Sequence, residues 1–319
     1  MTSWFLLVAA TGLVIPHALP LGRVSPRLAA GVWLGSLALR ALIALVVIAA
    51  VIALGPATGA FAALTRWCWH LVLPLFPEHV GLSGDAFGHV VTLAPAAVLG
   101  ASGLSAAWAV SRAATGVRRL VRDRAVGSGP QETVILEGRD VLIAAAGLLR
   151  PRIVVSAGAL TDLDDAELAA SIEHERGHVA HQHRYAMLCG QLFRAVSCLL
   201  PAGRIALCEL AFHLERDADE YALTRSPDRL ALATAICKAL PPSSSTSSMM
   251  ALSGGSPLPR RIRALADGAQ PRPRGATRAA AVCVLVTSTL VVSLGVSLPP
   301  FAADGLLQLS TAAARDCPR

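Results

Sequence analysis

The chain has 319 residues, of which 54% are apolar and only 15% charged, with a formal net charge of +7. So few charges and so much apolar material exclude a pair of ordinary soluble domains and point to a membrane protein. The arginines cluster at the ends of apolar runs and aromatics make up 4% of the chain, which argues against a nucleic-acid-binding stripe and for membrane topology.

Four apolar runs approach the roughly 20 residues that cross a bilayer: 3–21, 41–64, 90–110 and 279–298. The first lacks the basic flank and cleavage site of a signal peptide and is read as a retained span. Starting the second at Ala41 leaves Arg40 at the membrane surface and avoids a penalty of about 3 kcal/mol for a central arginine. Arg23, Arg27 and Arg40 lie between spans one and two. Arg112, Arg118, Arg119, Arg122 and Arg124 follow span three, and Arg272, Arg274 and Arg278 precede span four. The positive-inside rule makes these segments cytoplasmic and puts the 65–89 loop and both termini outside. The expected organisation is a mainly α membrane protein: three spans within 1–111, a cytoplasmic α+β domain at 112–275, and a fourth span with a short outer tail at 276–319. The seven cysteines show no C-x-x-C spacing, and only Cys68 and Cys317 would face an oxidising exterior.

Within the cytoplasmic segment, an arginine-rich linker precedes three short strand signals, at 132–138, 140–147 and 151–160, which predict a small sheet. A helix follows, with Thr161 and Asp164 in capping-box spacing and acidic residues in its first turn. Residues 186–212 are broken by Arg194, Pro201 and Arg204 and predict two helices, and 209–223 predicts a further one. A serine-rich loop occupies 241–257.

The first of these helices contains His174-Glu175-Arg176-Gly177-His178. Residues four apart on a helix share a face, so two imidazoles can reach one ion with Glu175 beside them. Nine histidines and nine glutamates in a chain of this length produce such a motif by chance in roughly one chain in a hundred. The later pair Glu215 and Asp219 also shares a face. It offers one carboxylate for a metal and another to hold a ligand imidazole by its second nitrogen. Glu209 and His213 are rival third ligands. His181, His183 and His213 are read as surface polar residues, and the longer metzincin pattern fails because Arg184 stands where it needs histidine.

These features resemble the BlaR/MecR-type antirepressor zinc peptidases of bacterial membranes and, more distantly, HtpX-like and CAAX-prenyl-processing peptidases. The resemblance covers the spans, "GLLRPRIVVS", the His174–His178 motif, Glu215-x-x-Ala218-Asp219 and "SPLPRRIRAL" at 256–265. It implies a zincin-like domain with one zinc ion per chain, held by His174, His178 and Glu215, with Glu175 as general base and Asp219 supporting a ligand. Arg261 is the candidate transition-state donor. Two departures stand out: His183-Arg184 replaces a frequent Asp-Asn pair, and Gly255 stands about where the HtpX-like branch has histidine. The resemblance implies a protein or peptide substrate, with a winged-helix repressor as the expected one, in a signalling pathway at the lipid bilayer without direct nucleic-acid binding. A quality-control peptidase of HtpX type and a catalytically silent receptor are the alternatives. The β-lactam sensors it resembles carry a penicillin-binding domain after the fourth span. Here about 21 residues follow that span, and the one lysine, Lys238, has Ala235 three positions before it. No S-x-x-K acylation motif can therefore form, and the signal is expected to act through the 65–89 loop, the spans or a separate sensor protein.

Overall fold

The computed structural model describes residues 13–54, 84–129, 133–147, 149–239 and 258–266, with isolated positions 275, 279, 282 and 286. Among these the protein is mostly helical, with one small mixed sheet. The first helix, α1, runs Pro26–Leu54, and its segment Pro26–Ala49 is the one described helix long and apolar enough to cross a membrane. The second, α2, runs Gly84–Arg124 and feeds directly into strand β1, Ala125–Ser128. Strands β2 (Val134–Leu136), β3 (Ile143–Ala146) and β4 (Arg152–Ser156) complete the sheet in the order β1-β2-β4-β3. The β2–β4 pair is parallel, and β1–β2 and β3–β4 are antiparallel. β3 is therefore an edge strand.

Six helices follow or close the sheet: α3 Ala157–Asp162, α4 Asp165–Ala180, α5 His183–Val196, α6 Gly203–Arg225, α7 Arg229–Lys238 and α8 Leu258–Ala266. Asp164 caps α4: it accepts from the Glu167 amide at 2.8 Å, while Glu167 Oε2 accepts from the Asp164 amide at 3.0 Å. The capping box is thus Asp164 with Glu167, not Thr161 with Asp164. Thr161 belongs to α3, a short helix capped by Ser156, and Leu163 separates the two helices. The same Glu167 carboxylate receives the Lys238 ammonium at 2.7 Å, which ties α7 to the start of α4.

Helices α4 and α6 approach closely at Gly177, where a Cβ would lie 3.1 Å from the Ala218 Cα. Glycine at this place lets the two site-bearing backbones meet. One core, of Val155, Ala159, Leu163, Ile172 and Ala235, joins the sheet to α4 and α7. Another places Val32, Trp33 and Leu37 of α1 against Ala206, Leu210 and Leu214 of α6. The apolar α1 therefore shares a core with the helix that carries Glu215.

Several expectations need correction. Arg40 is not at a span boundary: α1 begins at Pro26 and carries Arg40 mid-helix at 2% exposure. No proline lies in the helix after Pro26. The guanidinium is accommodated by the Ser36 side chain, the carbonyls of Ser36 and Leu13 (each 3.2 Å) and the His17 ring nitrogen at 3.1 Å, partners that lower the cost of a buried charge. The segment read as an arginine-rich linker is the end of α2 together with β1. Of the four predicted spans, residues 1–12 and 55–64 and most of 279–298 lie outside the described residues, as does the 241–257 loop; 90–110 lies within α2.

Candidate metal centre

The centre is assembled from α4, α6 and α8 with the edge strand β3. Its first element is the helical spacing of the motif. His174 Nε2 and His178 Nε2 lie 3.2 Å apart, and Glu215 reaches across from α6 to place carboxylate oxygens 3.5 Å from His174 Nε2 and 3.6 Å from His178 Nε2. A tetrahedral zinc with bonds of about 2.0–2.1 Å has edges of about 3.3 Å. The two ring nitrogens lie close to one such edge apart, each faces a different oxygen of the Glu215 carboxylate, and two imidazoles with one carboxylate are a donor set that suits zinc.

The second nitrogen of each ring has a polar neighbour. His174 Nδ1 lies 3.0 Å from Asp219 Oδ1, a charge contact too bent for a well-directed hydrogen bond. His178 Nδ1 lies 2.9 Å from His183 Nδ1. Arg261 of α8 grips both carboxylates, with Nη1 2.6 Å from Glu215 Oε2 and a two-point contact to Asp219 at 2.7 and 3.1 Å. Glu175 faces the sheet, where its Oε2 accepts a 2.8 Å hydrogen bond from the amide of Ala145 on β3. That amide points away from β4, toward the free edge.

The field in this pocket suits a cation. Burial on its own would lower the His174 imidazole, but Asp219 and Glu215 outweigh it and raise it to about 9. Burial dominates at His178 and, with the neighbouring positive His174, brings it down to about 4 despite Glu215. Burial also pushes the Glu175 carboxyl above its ordinary range, against the pull of His174 and the Ala145 amide. Burial opposes ionisation of Glu215 and Asp219 too, but His174 and Arg261 hold both below the usual carboxylate range.

The structure thus brings together all six residues singled out in the sequence: His174, Glu175, His178, Glu215, Asp219 and Arg261. It leaves out the rivals. Glu209 pairs with Arg260 at 2.6 and 3.1 Å, and His213 is 1% exposed beside Glu209 and Arg216, away from the ligand group. His213 and His183 are therefore buried, not surface polar, and His181 is half-buried. His183 was missed because its place depends on Gln182, whose left-handed backbone (φ 56°) turns the chain after α4 so that the first residue of α5 faces back toward His178. The departure from the Asp-Asn pattern at 183 was the available signal. Two cavities flank the centre. One, of about 420 Å³, is lined by Ile143, Leu163, Leu232 and Ile236 beside His174 and Arg261. The other, of about 260 Å³, includes Ala145, Val179, Met187 and Leu214.

Two imidazoles one turn apart, a carboxylate beside them and a further carboxylate from a following helix form a group that could hold a metal ion in the manner of a zincin-type metallopeptidase. Residues 111–212 match the model of Peptidase family M48, and the protein is a zinc metallopeptidase, a hydrolase acting on protein or peptide. The match ends three residues before Glu215, so Glu215 is a candidate third ligand on geometry alone. No curated protein and no solved structure matches the chain.

Proposed function

We propose that the protein is a membrane-embedded zinc endopeptidase that cleaves a cytoplasmic protein, with a transcriptional repressor of winged-helix type as its substrate. The observation that carries the peptidase chemistry is the convergence of His174, His178 and Glu215 within reach of one ion, with Glu175 beside an edge strand. One zinc per chain, when bound there, supplies the Lewis acidity for amide hydrolysis. Glu175 takes a proton from the attacking water and returns it to the departing amine. Arg261 holds Glu215 and Asp219 in place, and its positive charge beside the centre offsets the negative charge that develops on the scissile carbonyl oxygen. Substrate adds as a strand along the free edge of β3, and the apolar cavity beside Arg261 takes an aliphatic or aromatic side chain next to the scissile bond.

Membrane residence is supported by α1 and by the apolar runs of the sequence; the arginines that end α2 and precede the last run support a cytoplasmic peptidase domain. Both termini then lie outside. A cysteine-accessibility scan is expected to find residues near 127 and 268 protected from an external thiol reagent and residues near 83 labelled. External labelling at 127 would place the centre on the other side of the membrane.

Proteomes of cells carrying the native protein and Glu175→Gln separate the substrate readings. A single repressor that accumulates uncut in the variant supports signalling, and a broad set of membrane-protein fragments lost in the variant supports quality control.

A further inference from the structure

A second group of metal-type side chains, His181, His183 and Asp217, lies against the centre. His183 Nε2 is 3.0 Å from Asp217 Oδ2, and His181 Nδ1 is 2.6 Å from the same oxygen. The other oxygen, Asp217 Oδ1, accepts from Nε of Arg27 at 3.1 Å, and the Arg27 guanidinium also touches His181. Arg27 stands at the start of α1, 190 positions from Asp217.

The protons along this chain follow from valence. An imidazole that presents its Nε2 lone pair to an ion carries its proton on Nδ1. His178 Nδ1 therefore donates across the 2.9 Å contact, and His183 Nδ1 must accept. The His183 proton then sits on Nε2 and is donated to Asp217, an acceptor on both oxygens that is fixed by Arg27. Every donor has one acceptor and every ring has one tautomer. Two facts speak against a second ion here: a guanidinium already supplies the positive charge, and the second nitrogen of His183 is taken by His178.

We propose that Arg27, Asp217 and His183 form a positioning relay that fixes the tautomer and ring orientation of His178, so that the placement of α1 sets the metal affinity and turnover of the centre. The inference rests on His178 as a metal ligand. It gives the apolar α1 a mechanical connection to the ion through three side chains, with no movement of the motif helix needed.

The test uses the full-length chain loaded with zinc or with cobalt, whose visible spectrum reports ligand geometry. His183→Leu removes both hydrogen bonds and is expected to weaken zinc binding about 10–100-fold and shift the cobalt bands, as loss of a partner behind a ligand imidazole does. His183→Gln offers one acceptor and one donor in the same order and should bind zinc within about threefold of the native protein. It also keeps the test decisive if the leucine variant fails to fold. Arg27→Gln, remote from the ion, should weaken binding about threefold or more and move the cobalt bands in the same direction as His183→Leu. Native affinity and spectrum in both His183→Leu and Arg27→Gln would overturn the relay while His178→Ala still abolished binding. Full binding by His178→Ala would overturn the ligand assignment itself. Two zinc ions per native chain, with one lost in His181→Ala, would make the group a metal site and the relay wrong.

Discussion

Glu175→Gln is expected to lower kcat/KM by about 10²–10⁴, or roughly 3–5 kcal/mol of transition-state stabilisation, while leaving bound zinc unchanged. The amide oxygen of glutamine can still accept the hydrogen bond from Ala145 that the carboxylate now accepts. A neutral side chain is also easier to bury than Glu175, whose carboxyl is already raised by burial. The fold and the ligands thus survive, and what is lost is a group able to take a proton from water. Paired measurements of kcat/KM on a fluorogenic peptide and of zinc by elemental analysis check this. Loss of zinc in parallel with activity would make Glu175 a ligand instead of a base.

His174→Ala and Glu215→Ala should each reduce zinc affinity roughly a thousandfold, taking one of three protein ligands as about a third of a typical 12 kcal/mol. Purified variants should then carry almost no metal where the native chain carries about one equivalent. Glu209→Ala is the control: its carboxylate pairs with Arg260 and lies outside the group, so the metal should stay. Full zinc content in Glu215→Ala would remove Glu215 from the centre. Arg261 should remain seated in that variant through its two-point contact with Asp219.

The parts of this protein that were legible in the sequence are those fixed by local periodicity. The i, i+4 spacing places His174 with His178 and Glu215 with Asp219 on single helix faces whatever the rest of the chain does. The short β-branched runs at 134–136 and 152–156 form strands because their neighbours end them. What was not legible is set by residues distant in sequence. His183 became part of the centre through one left-handed residue and a partner 34 positions away. The burial of Arg40 depends on a carbonyl 27 positions earlier and on His17. The sequence pattern places the capping box three residues early because Thr161 and Asp164 satisfy the same spacing as Asp164 and Glu167. Only the bend at Leu163 tells them apart.

Arginine supplies nearly all of the basic side chains, and Lys238 is the sole lysine in the sequence. Its ammonium is held by the Glu167 carboxylate and, at 3.0 Å, by the Asp162 carbonyl, and its side chain is 39% exposed. Reagents that acylate amines therefore meet one side-chain target in the whole chain, at the point where α7 clasps the first turn of α4. Acylation there strips the cation from the glutamate that caps the metal-binding helix, and a fluorophore on that nitrogen reports the parting of the two helices without an engineered residue. The same chemistry sets a rule for handling the protein: amine-coupled immobilisation through a side chain attaches it by this clasp.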